Sequence, residues 1–213
     1  MKILLVAATR AEIELALSNL HILDSSGSLN GNHIDVLITG VGMTATAYAL
    51  GKALSANSYD LAINAGIAGA FDRALKPGEV ISISIDCFAE LGAEDGEDFI
   101  SIDELGFGRS SVKPAHPLEH PLVNSLQKAR SITVNRVHGN DESIYATVSR
   151  LNPQTETMEG AAFFYACNQE NVPCIQLRAI SNYVERRNRD NWNISLAVKN
   201  LNNTLTELLT NLP

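Results

Sequence analysis

The sequence predicts an α/β fold built on a largely parallel sheet. Strand-like apolar runs alternate with helical patterns along the chain, as in successive βαβ units. The first run, Ile3–Ala8, is continuous and apolar, which is typical of a strand buried on both faces. Thr9 follows it, and Glu12 stands three residues later, at the spacing of a capping box that begins a helix.

The rest of the chain contains further strands and helices separated by turn residues. Strands are predicted from apolar or alternating runs at Ile34–Thr39, Leu61–Ala65, Val80–Phe88, Ile132–Val137 and Pro173–Ser181. Helices are predicted from apolar residues at helical spacing at Met43–Leu54, Leu122–Ala129, Met158–Asn168 and Trp192–Leu209. The small-residue segment Gly66–Ala70 is expected to be a loop, and Glu90–Asp103 an irregular surface segment. Because no repeat or linker interrupts this order, residues 1–213 are expected to form one domain.

Composition excludes several classes of partner. The formal net charge of −8 argues against binding to nucleic-acid phosphates or to anionic membrane surfaces. No apolar stretch is long enough to cross a bilayer, and the N-terminal run is too short for a secretory signal. The three cysteines, Cys87, Cys167 and Cys174, are odd in number and have apolar neighbours, which indicates a reducing compartment. A cytoplasmic location is therefore expected.

The turn at residues 40–45 resembles a dinucleotide-binding fingerprint but lacks one requirement of it. Gly40, Gly42 and Ala45 match the G-x-G-x-x-A spacing. The fingerprint also needs an acidic residue at the end of the next strand, and Leu61–Ala65 ends without one. No nicotinamide cofactor is expected, and no histidine or cysteine spacing predicts a metal site. Gly42 still offers a backbone N–H at a helix start for a ligand oxygen.

Two stretches carry the polar residues expected at a ligand site. Thr157–Ala162 places Glu159 at a predicted helix start, and Asn182 ends the last predicted strand. Ligands of open α/β sheets bind at such strand ends. Taken alone, Glu159 could equally serve the helix dipole, and Glu12 could serve only its capping box.

Several segments together resemble the nucleoside phosphorylase and nucleosidase superfamily. They are MKILLVAATRAEI, VLITGVG, INAGIAGAF, LKPGEVI, TMEGAAFFYAC and LRAISN, in the order of that superfamily and over nearly the whole chain. The stretch SNYVERRNRDNWNISLA resembles the futalosine hydrolase branch in particular. The resemblance implies a three-layer α/β/α sandwich with a central mixed, largely parallel sheet. It also implies a homo-oligomer, a dimer or a tetramer, that acts on a nucleoside and water.

The resemblance also implies roles for individual residues. Glu12 falls where the nucleosidases have the acid that activates water, and Met158 and Glu159 fall on the pair that holds the ribose. Asn182 stands where methylthioadenosine nucleosidases have the Asp that protonates the purine N7. An amide cannot deliver a proton, but it can donate to O6 and N7 of a 6-oxopurine. Asn182 therefore favours hypoxanthine as the leaving base, which is the base of futalosine.

The choice between water and phosphate as nucleophile depends on two loops. Superfamily phosphorylases bring Arg and hydroxyl groups to the loops that here contain Gly42 and, at residues 66–68, Gly66, Ile67 and Ala68. Ile67 is apolar, and neither loop contains an Arg, so hydrolysis is predicted. Gly42, Gly66, Ile67 and Ala68 are expected to contact the substrate. A phosphorylase, a methylthioadenosine nucleosidase and a non-catalytic nucleoside-binding protein are the alternatives.

A cationic loop follows Asn182. Futalosine carries a benzoate on its sugar side, and Arg187 and Arg189 are expected to contact that carboxylate. Arg186 is a further candidate. Such a charge run is also typical of a solvated surface.

Overall fold

A nine-stranded mixed sheet forms the centre of the computed structural model, which describes residues 1–22 and 24–213. Two further strands, β6 and β7, form a separate hairpin. The strands in chain order are β1 (Lys2–Ala7), β2 (Ser26–Leu29), β3 (Asn32–Ile38), β4 (Leu61–Ala70), β5 (Val80–Phe88), β6 (Gly92–Asp95), β7 (Asp98–Ser101), β8 (Ser111–Val112), β9 (Gln127–Thr133), β10 (Thr155–Thr157) and β11 (Cys174–Tyr183). The helices are α1 (Glu14–Asn19), α2 (Met43–Ala56), α3 (Pro121–Ser125), α4 (Asp141–Leu151), α5 (Gly160–Gln169) and α6 (Ile194–Thr210). Short 3₁₀ turns lie at Arg10–Glu12 and Arg189–Asn191.

Helices cover both faces of the sheet. Alternate residues of β1 point to opposite sides, so that Leu5 packs among side chains of α1 and α6 while Leu4 lies in the separate core that contains residues of α2 and α5. Both cores are fully apolar at their centres, as the continuous apolar strands predict. The predicted three-layer α/β/α sandwich is confirmed.

The central strands run in parallel, with β4 between β1 and β11 and β3 outside β1. The sheet is nevertheless mixed, because β5 pairs antiparallel with β11. It also curls until β10 pairs with β9 on one side and with the end of β4 on the other. The strands β4, β11, β5, β9 and β10 thus close into a ring, which brings the end of β10 beside the carboxyl ends of β4 and β11.

Several predicted boundaries differ from the structure. Gly66–Ala70 is part of β4 and not a loop, because pairing with β11 and β10 on either side satisfies the backbone of these small residues. The helix predicted at Leu122–Ala129 ends at Ser125, since the chain from Gln127 onward pairs with β5. Part of the segment expected to be irregular, Glu90–Asp103, forms the β6–β7 hairpin.

Helix α4 and the strands β2, β8 and β10 have no counterpart in the prediction. The strand β10 has only three residues and is defined by its pairing with β4 and β9, which are distant in the sequence. Helix α4 carries a local signal: Asn140 caps it by accepting hydrogen bonds from the backbone N–H groups of Glu142 and Ser143. With Asp141 and Glu142 in its first turn, the helix start follows the usual N-terminal pattern of acidic residues.

A buried polar network lies between the sheet and α5. Thr133 Oγ1 donates to Asp86 Oδ1 over 2.8 Å, and Gln176 Nε2 donates to the carbonyl oxygen of Gly160 over 2.9 Å. Gln176 Oε1 in turn accepts from Nη2 of Arg178 over 3.2 Å. A Cβ atom on Gly160 would clash with Asp86 Oδ2 and Gln176 Oε1, so α5 begins at a position where only glycine fits. The network therefore fixes the start of α5 against the sheet.

Burial raises the pKa of Asp86 to about 6, against the effects of the Thr133 hydrogen bond and of the Arg178 charge. The folded protein thus binds this proton more tightly than the unfolded chain does. The resulting stability is fully present below the ordinary pKa of 3.8 and is lost as the pH rises through about 6.

We therefore expect Asp86→Asn to remove this pH dependence. Between pH 4 and 7, the free energy of unfolding of wild type should fall relative to that of the variant by on the order of 2–3 kcal/mol. Urea denaturation across this range measures the difference. Asp98→Asn, in the exposed β6–β7 hairpin, is the matched control and should stay parallel to wild type. A constant difference for the Asp86 variant would contradict the raised pKa.

Candidate active site

A cavity of about 360 Å³ opens at the carboxyl ends of β1, β4, β10 and β11. This is the position at which open α/β sheets bind ligands. The residues that follow β1 and the turn that follows β3 form one wall, and the starts of α5 and α6 complete the enclosure. Glu12, Glu159 and Asn182, which are distant in the sequence, all line it. The predicted convergence of these three side chains therefore occurs in the structure.

Glu12 projects from the 3₁₀ turn after β1. Its Oε2 accepts hydrogen bonds from the backbone N–H and the hydroxyl of Thr9, both at 2.9 Å. Its Oε1 accepts from the N–H of Ile67 at 3.2 Å, across the cavity floor in β4. A capping contact and a cavity position are thus combined in one side chain. The carboxylate is fixed in place and is half-buried.

Glu159 is the residue immediately before α5 and is 8% exposed. Its Oε1 accepts from the N–H of Gly42 at 2.9 Å, and its Oε2 from the N–H of Met158 at 3.3 Å. Gly42 is the N-cap of α2, where the helix dipole favours a negative charge. Its φ of 100° lies in the region that favours glycine. Glu159 therefore does contact the N-terminus of a helix, as one interpretation of the sequence proposed, but this helix is α2 and not α5.

Asn182 stands at a bulge in β11, where the pairing register with β4 shifts between Ile180 and Asn182. Its Nδ2 donates to the carbonyl of Tyr183 at 2.9 Å, and its Oδ1 accepts from the Ser181 hydroxyl at 2.7 Å. An amide has two N–H donors and two acceptor lone pairs. Among the described residues these contacts leave one of each for a ligand.

The predicted contact residues divide into two groups. Met158, Ile67 and Ala68 line the cavity directly. Gly42 and Gly66 act on the two acids instead, because Gly42 donates to Glu159 and Gly66 lies beside Glu12. A Cβ atom on Gly66 would lie 3.0 Å from Glu12 Oε1 and would clash with the Arg178 guanidinium.

The structure does not support the predicted contacts of Arg187 and Arg189. Both side chains are exposed and lie outside the cavity wall formed by the described residues. The guanidinium of Arg187 stacks over the ring of Trp192 at 5.2 Å, and Arg189 lies in a 3₁₀ turn. Arg186 is exposed as well. After Val184 the loop passes beside Gly139, whose carbonyl oxygen accepts from the N–H of Arg187 at 3.3 Å, so proximity in sequence to Asn182 did not place these cations in the cavity lining.

Four residues with a clear position in or beside the site were missed as site residues. Trp192 and the pair formed by His138 and Glu156 line the cavity, and Arg178 lies behind Glu12 and Gly66. Arg178 is 1% exposed, and its Nε has no hydrogen-bond partner among the described residues. Arg178 was missed because it lies within the apolar run of β11, and Glu156 was missed because it lies in β10, a strand that the sequence did not predict.

The charged groups around the cavity are therefore three carboxylates, Glu12, Glu156 and Glu159, with the buried Arg178 behind the first. No cluster of three or more His, Cys, Asp or Glu residues suited to a metal ion occurs within residues 1–22 and 24–213. In the same residues no helix is both long and apolar enough to cross a bilayer. The arrangement offers one carboxylate to accept a proton, one to face a positive charge, and an amide to hold a heterocycle.

Comparison with known proteins gives consistent matches. The sequence profile of the Phosphorylase superfamily matches residues 25–210. The chain is 31% identical to a futalosine hydrolase of Streptomyces coelicolor over 183 residues, which cover 82% of this chain and 77% of that protein. It is also 31% identical to a futalosine hydrolase of Acidothermus cellulolyticus, over 98% of this chain and 90% of the relative.

A solved structure has the same fold. A futalosine hydrolase mutant of Helicobacter pylori superposes with a TM-score of 0.84 at 17% identity, over the full length of both chains. At this identity the superposition supports the architecture, and the sequence matches carry the family relationship.

Proposed function

Because the chain belongs to the phosphorylase superfamily, and within it to the family of the futalosine hydrolases that it matches, we propose that it hydrolyses the N-glycosidic bond of futalosine. The products are hypoxanthine and dehypoxanthine futalosine. The observation that carries the proposal is the convergence of Glu12, Glu159 and Asn182 on one cavity. The substrate is a 6-oxopurine nucleoside, and the reaction serves menaquinone biosynthesis by the futalosine route.

The chemistry follows from the charges that develop as the bond breaks. Cleavage of C1′–N9 leaves an oxocarbenium-like sugar and an electron-rich purine. Glu159, held by the N–H of Gly42, is placed to bind the ribose hydroxyls through charge-assisted hydrogen bonds and to stabilise the positive sugar. Met158 packs beside it in the cavity wall.

Water is the nucleophile in this proposal. The oxygen of water bonds to C1′, and one of its protons passes to the Glu12 carboxylate. Asn182 donates through Nδ2 to N7 or O6 of the departing base, which takes its own proton from solvent. Ile67 lies where a phosphate would need a polar partner, which supports hydrolysis over phosphorolysis.

The proposal includes a cytoplasmic homo-oligomer. Large apolar side chains are exposed on the surface, including Phe107 at 81%, Tyr145 at 77% and Tyr48 at 75%. An interface between copies of the chain would cover exposed apolar groups that lie together. Light scattering on the purified protein measures the oligomer mass, and a monomer at micromolar concentration would contradict this part.

An activity assay tests the function directly. The protein is incubated with futalosine, inosine and methylthioadenosine, with and without phosphate, and the free base is identified. We expect hypoxanthine from futalosine at a rate independent of phosphate. A phosphate requirement would identify a phosphorylase, and faster release of adenine a methylthioadenosine nucleosidase. Binding without base release would identify a nucleoside-binding protein.

Asn182→Asp should shift the base preference toward 6-aminopurines. The new carboxyl oxygen would replace Nδ2, which now lies 2.9 Å from the carbonyl oxygen of Tyr183, and this contact favours the protonated acid. A protonated acid can deliver a proton to N7, which an adenine leaving group needs. We expect the ratio of hypoxanthine to adenine release to fall by roughly tenfold or more, about 1.4 kcal/mol.

Asn188→Asp is the matched control for this prediction. Asn188 lies exposed in the same loop and caps a 3₁₀ turn by accepting from Asp190, a contact that an aspartate preserves. This variant should keep the wild-type ratio. An unchanged ratio for Asn182→Asp would show that the amide does not read the base.

A further inference from the structure

The row of residues formed by Glu156, Gly69 and Asn182 crosses three strands at the cavity. Gly69 of β4 pairs with Glu156 of β10 on one side and with Asn182 of β11 on the other. A Cβ atom on Gly69 would lie 2.9 Å from Val184 Cγ2, 3.5 Å from Glu156 Cγ and 3.6 Å from Asn182 Nδ2. Glycine therefore lets Val184, the Glu156 side chain and the Asn182 amide approach the same point of β4. Glu156 and Asn182 face the same end of the cavity.

Among the described residues, the hydrogen bonds to the Glu156 carboxylate all come from His138. Its Oε2 lies 2.6 Å from His138 Nδ1, and its Oε1 accepts from the backbone N–H of His138 at 3.1 Å. The other ring nitrogen of His138 lies 2.8 Å from the Thr147 hydroxyl, and the ring meets the edge of Phe71. The imidazole thus bridges the Thr147 hydroxyl and the Glu156 carboxylate.

Glu156 nevertheless lines the cavity with acceptor capacity left over. It is 5% exposed, and a carboxylate offers about four lone-pair sites, of which two are used by His138. A buried carboxylate at a ligand cavity is costly unless it is paired. The contacts to His138 provide one partner, and the cavity side calls for a hydrogen-bond donor on the ligand.

We propose that Glu156 selects 6-oxopurines by accepting a hydrogen bond from the N1–H of the base, while Asn182 donates to its O6 and N7. This assignment rests on the proposed function and goes beyond it by naming the group that reads N1. A 6-oxopurine presents a donor at N1 next to an acceptor at O6. Adenine presents an acceptor at N1 next to an amino donor, so its N1 lone pair would face the carboxylate.

His138 is a positioning residue in this arrangement. It fixes the orientation of Glu156 through the 2.6 Å contact between Nδ1 and Oε2. The competing reading is that Glu156 serves only to anchor residues 137–139 against β10. If Glu156 only anchors this segment, its substitution should change the affinity for all ligands of the cavity equally. If Glu156 binds N1–H, its substitution should change the relative affinity for ligands that differ at N1.

The test compares two free bases on the wild-type protein and on Glu156→Gln. The bases are hypoxanthine and 1-deazahypoxanthine, which has C–H in place of N1–H and carries its lactam hydrogen on N3 instead. The difference at N3 is the same for both proteins, so the change between wild type and variant reports the contact at N1. Quenching of Trp192, the one tryptophan in the sequence and part of the cavity wall, reports binding. We expect wild type to bind hypoxanthine roughly 10- to 100-fold more tightly than the analogue, the range for a hydrogen bond to a charged group.

In Glu156→Gln the difference in affinity between the two bases should narrow to about threefold or less, because the negative charge that accepts the N1–H hydrogen bond is gone. Glu170→Gln, at the exposed end of α5, is the control and should keep the full gap. Equal affinity of wild type for both bases overturns the assignment even where the Glu156 variant does not fold. A full gap retained in a folded Glu156→Gln protein overturns it as well.

The experiment separates this inference from the proposed function. Binding of a free base needs no turnover, so an N1-dependent gap in a protein that releases no base would leave the contact valid and the hydrolase assignment wrong. Release of hypoxanthine from futalosine, without a difference in affinity that depends on N1, would leave the hydrolase assignment valid and the Glu156 contact wrong.

Discussion

Glu159→Gln should lower kcat by about three orders of magnitude, the upper range for loss of one group that stabilises transition-state charge. Glutamine keeps an oxygen for the N–H of Gly42, so the fold of the cavity wall should survive. The negative charge that faces the oxocarbenium-like sugar is lost. Because that charge matters most in the transition state, kcat should fall far more than KM rises.

Steady-state release of hypoxanthine from futalosine measures this effect. Glu170→Gln makes the same chemical change at the other end of α5 and serves as the control, with expected activity close to wild type. A decrease of less than tenfold for Glu159→Gln would show that the ribose is held elsewhere. Circular dichroism and thermal melting would exclude unfolding as the cause.

Glu12→Gln should lower kcat by roughly 10²- to 10⁴-fold, the range for loss of a general base. The glutamine oxygen can still accept from the N–H of Thr9, so the capping contact should be retained in part. The amide cannot take a proton from water. Substrate affinity should change little, because the nucleophile and not the nucleoside loses its partner.

Glu14→Gln is the control for this variant. Glu14 lies two residues further along, at the start of α1, is exposed, and forms an ion pair with Arg10 at 2.6 Å. Its loss should cost well under 1 kcal/mol of stability and leave turnover unchanged. Wild-type turnover in Glu12→Gln would reduce Glu12 to the capping role that its sequence spacing already suggested.

The layers of the fold were predictable because they depend on local patterns. The continuous apolar run at Ile3–Ala8 and the helical spacing at Trp192–Leu209 each correspond to an element of the structure, β1 and α6. The ring closure of the sheet was not predictable, because β10 has three residues and exists through its pairing with β4 and β9. The loop expected at Gly66–Ala70 was wrong for the same reason.

The candidate site was predictable where a short motif carries the residue. Glu159 stands at the start of a recognisable helix and Asn182 lies at the end of a recognisable strand, and the family resemblance assigned a role to each. Glu156 and His138 lie in segments whose position depends on the curled sheet, so nothing local marked them as neighbours of Asn182. Arg187 was expected to contact the substrate carboxylate because it follows Asn182 closely, but its side chain is exposed and lies outside the cavity lining of the described residues.

A crystal structure of Glu12→Gln with intact futalosine would show how the substrate is held, since this variant should bind the substrate without cleaving it. We expect ribose hydroxyls within hydrogen-bond distance of Glu159 and the hypoxanthine edge at Asn182. We also expect a water molecule between position 12 and C1′. A nucleoside bound with its ribose away from Glu159, or with its base away from Asn182, would contradict the proposed mechanism.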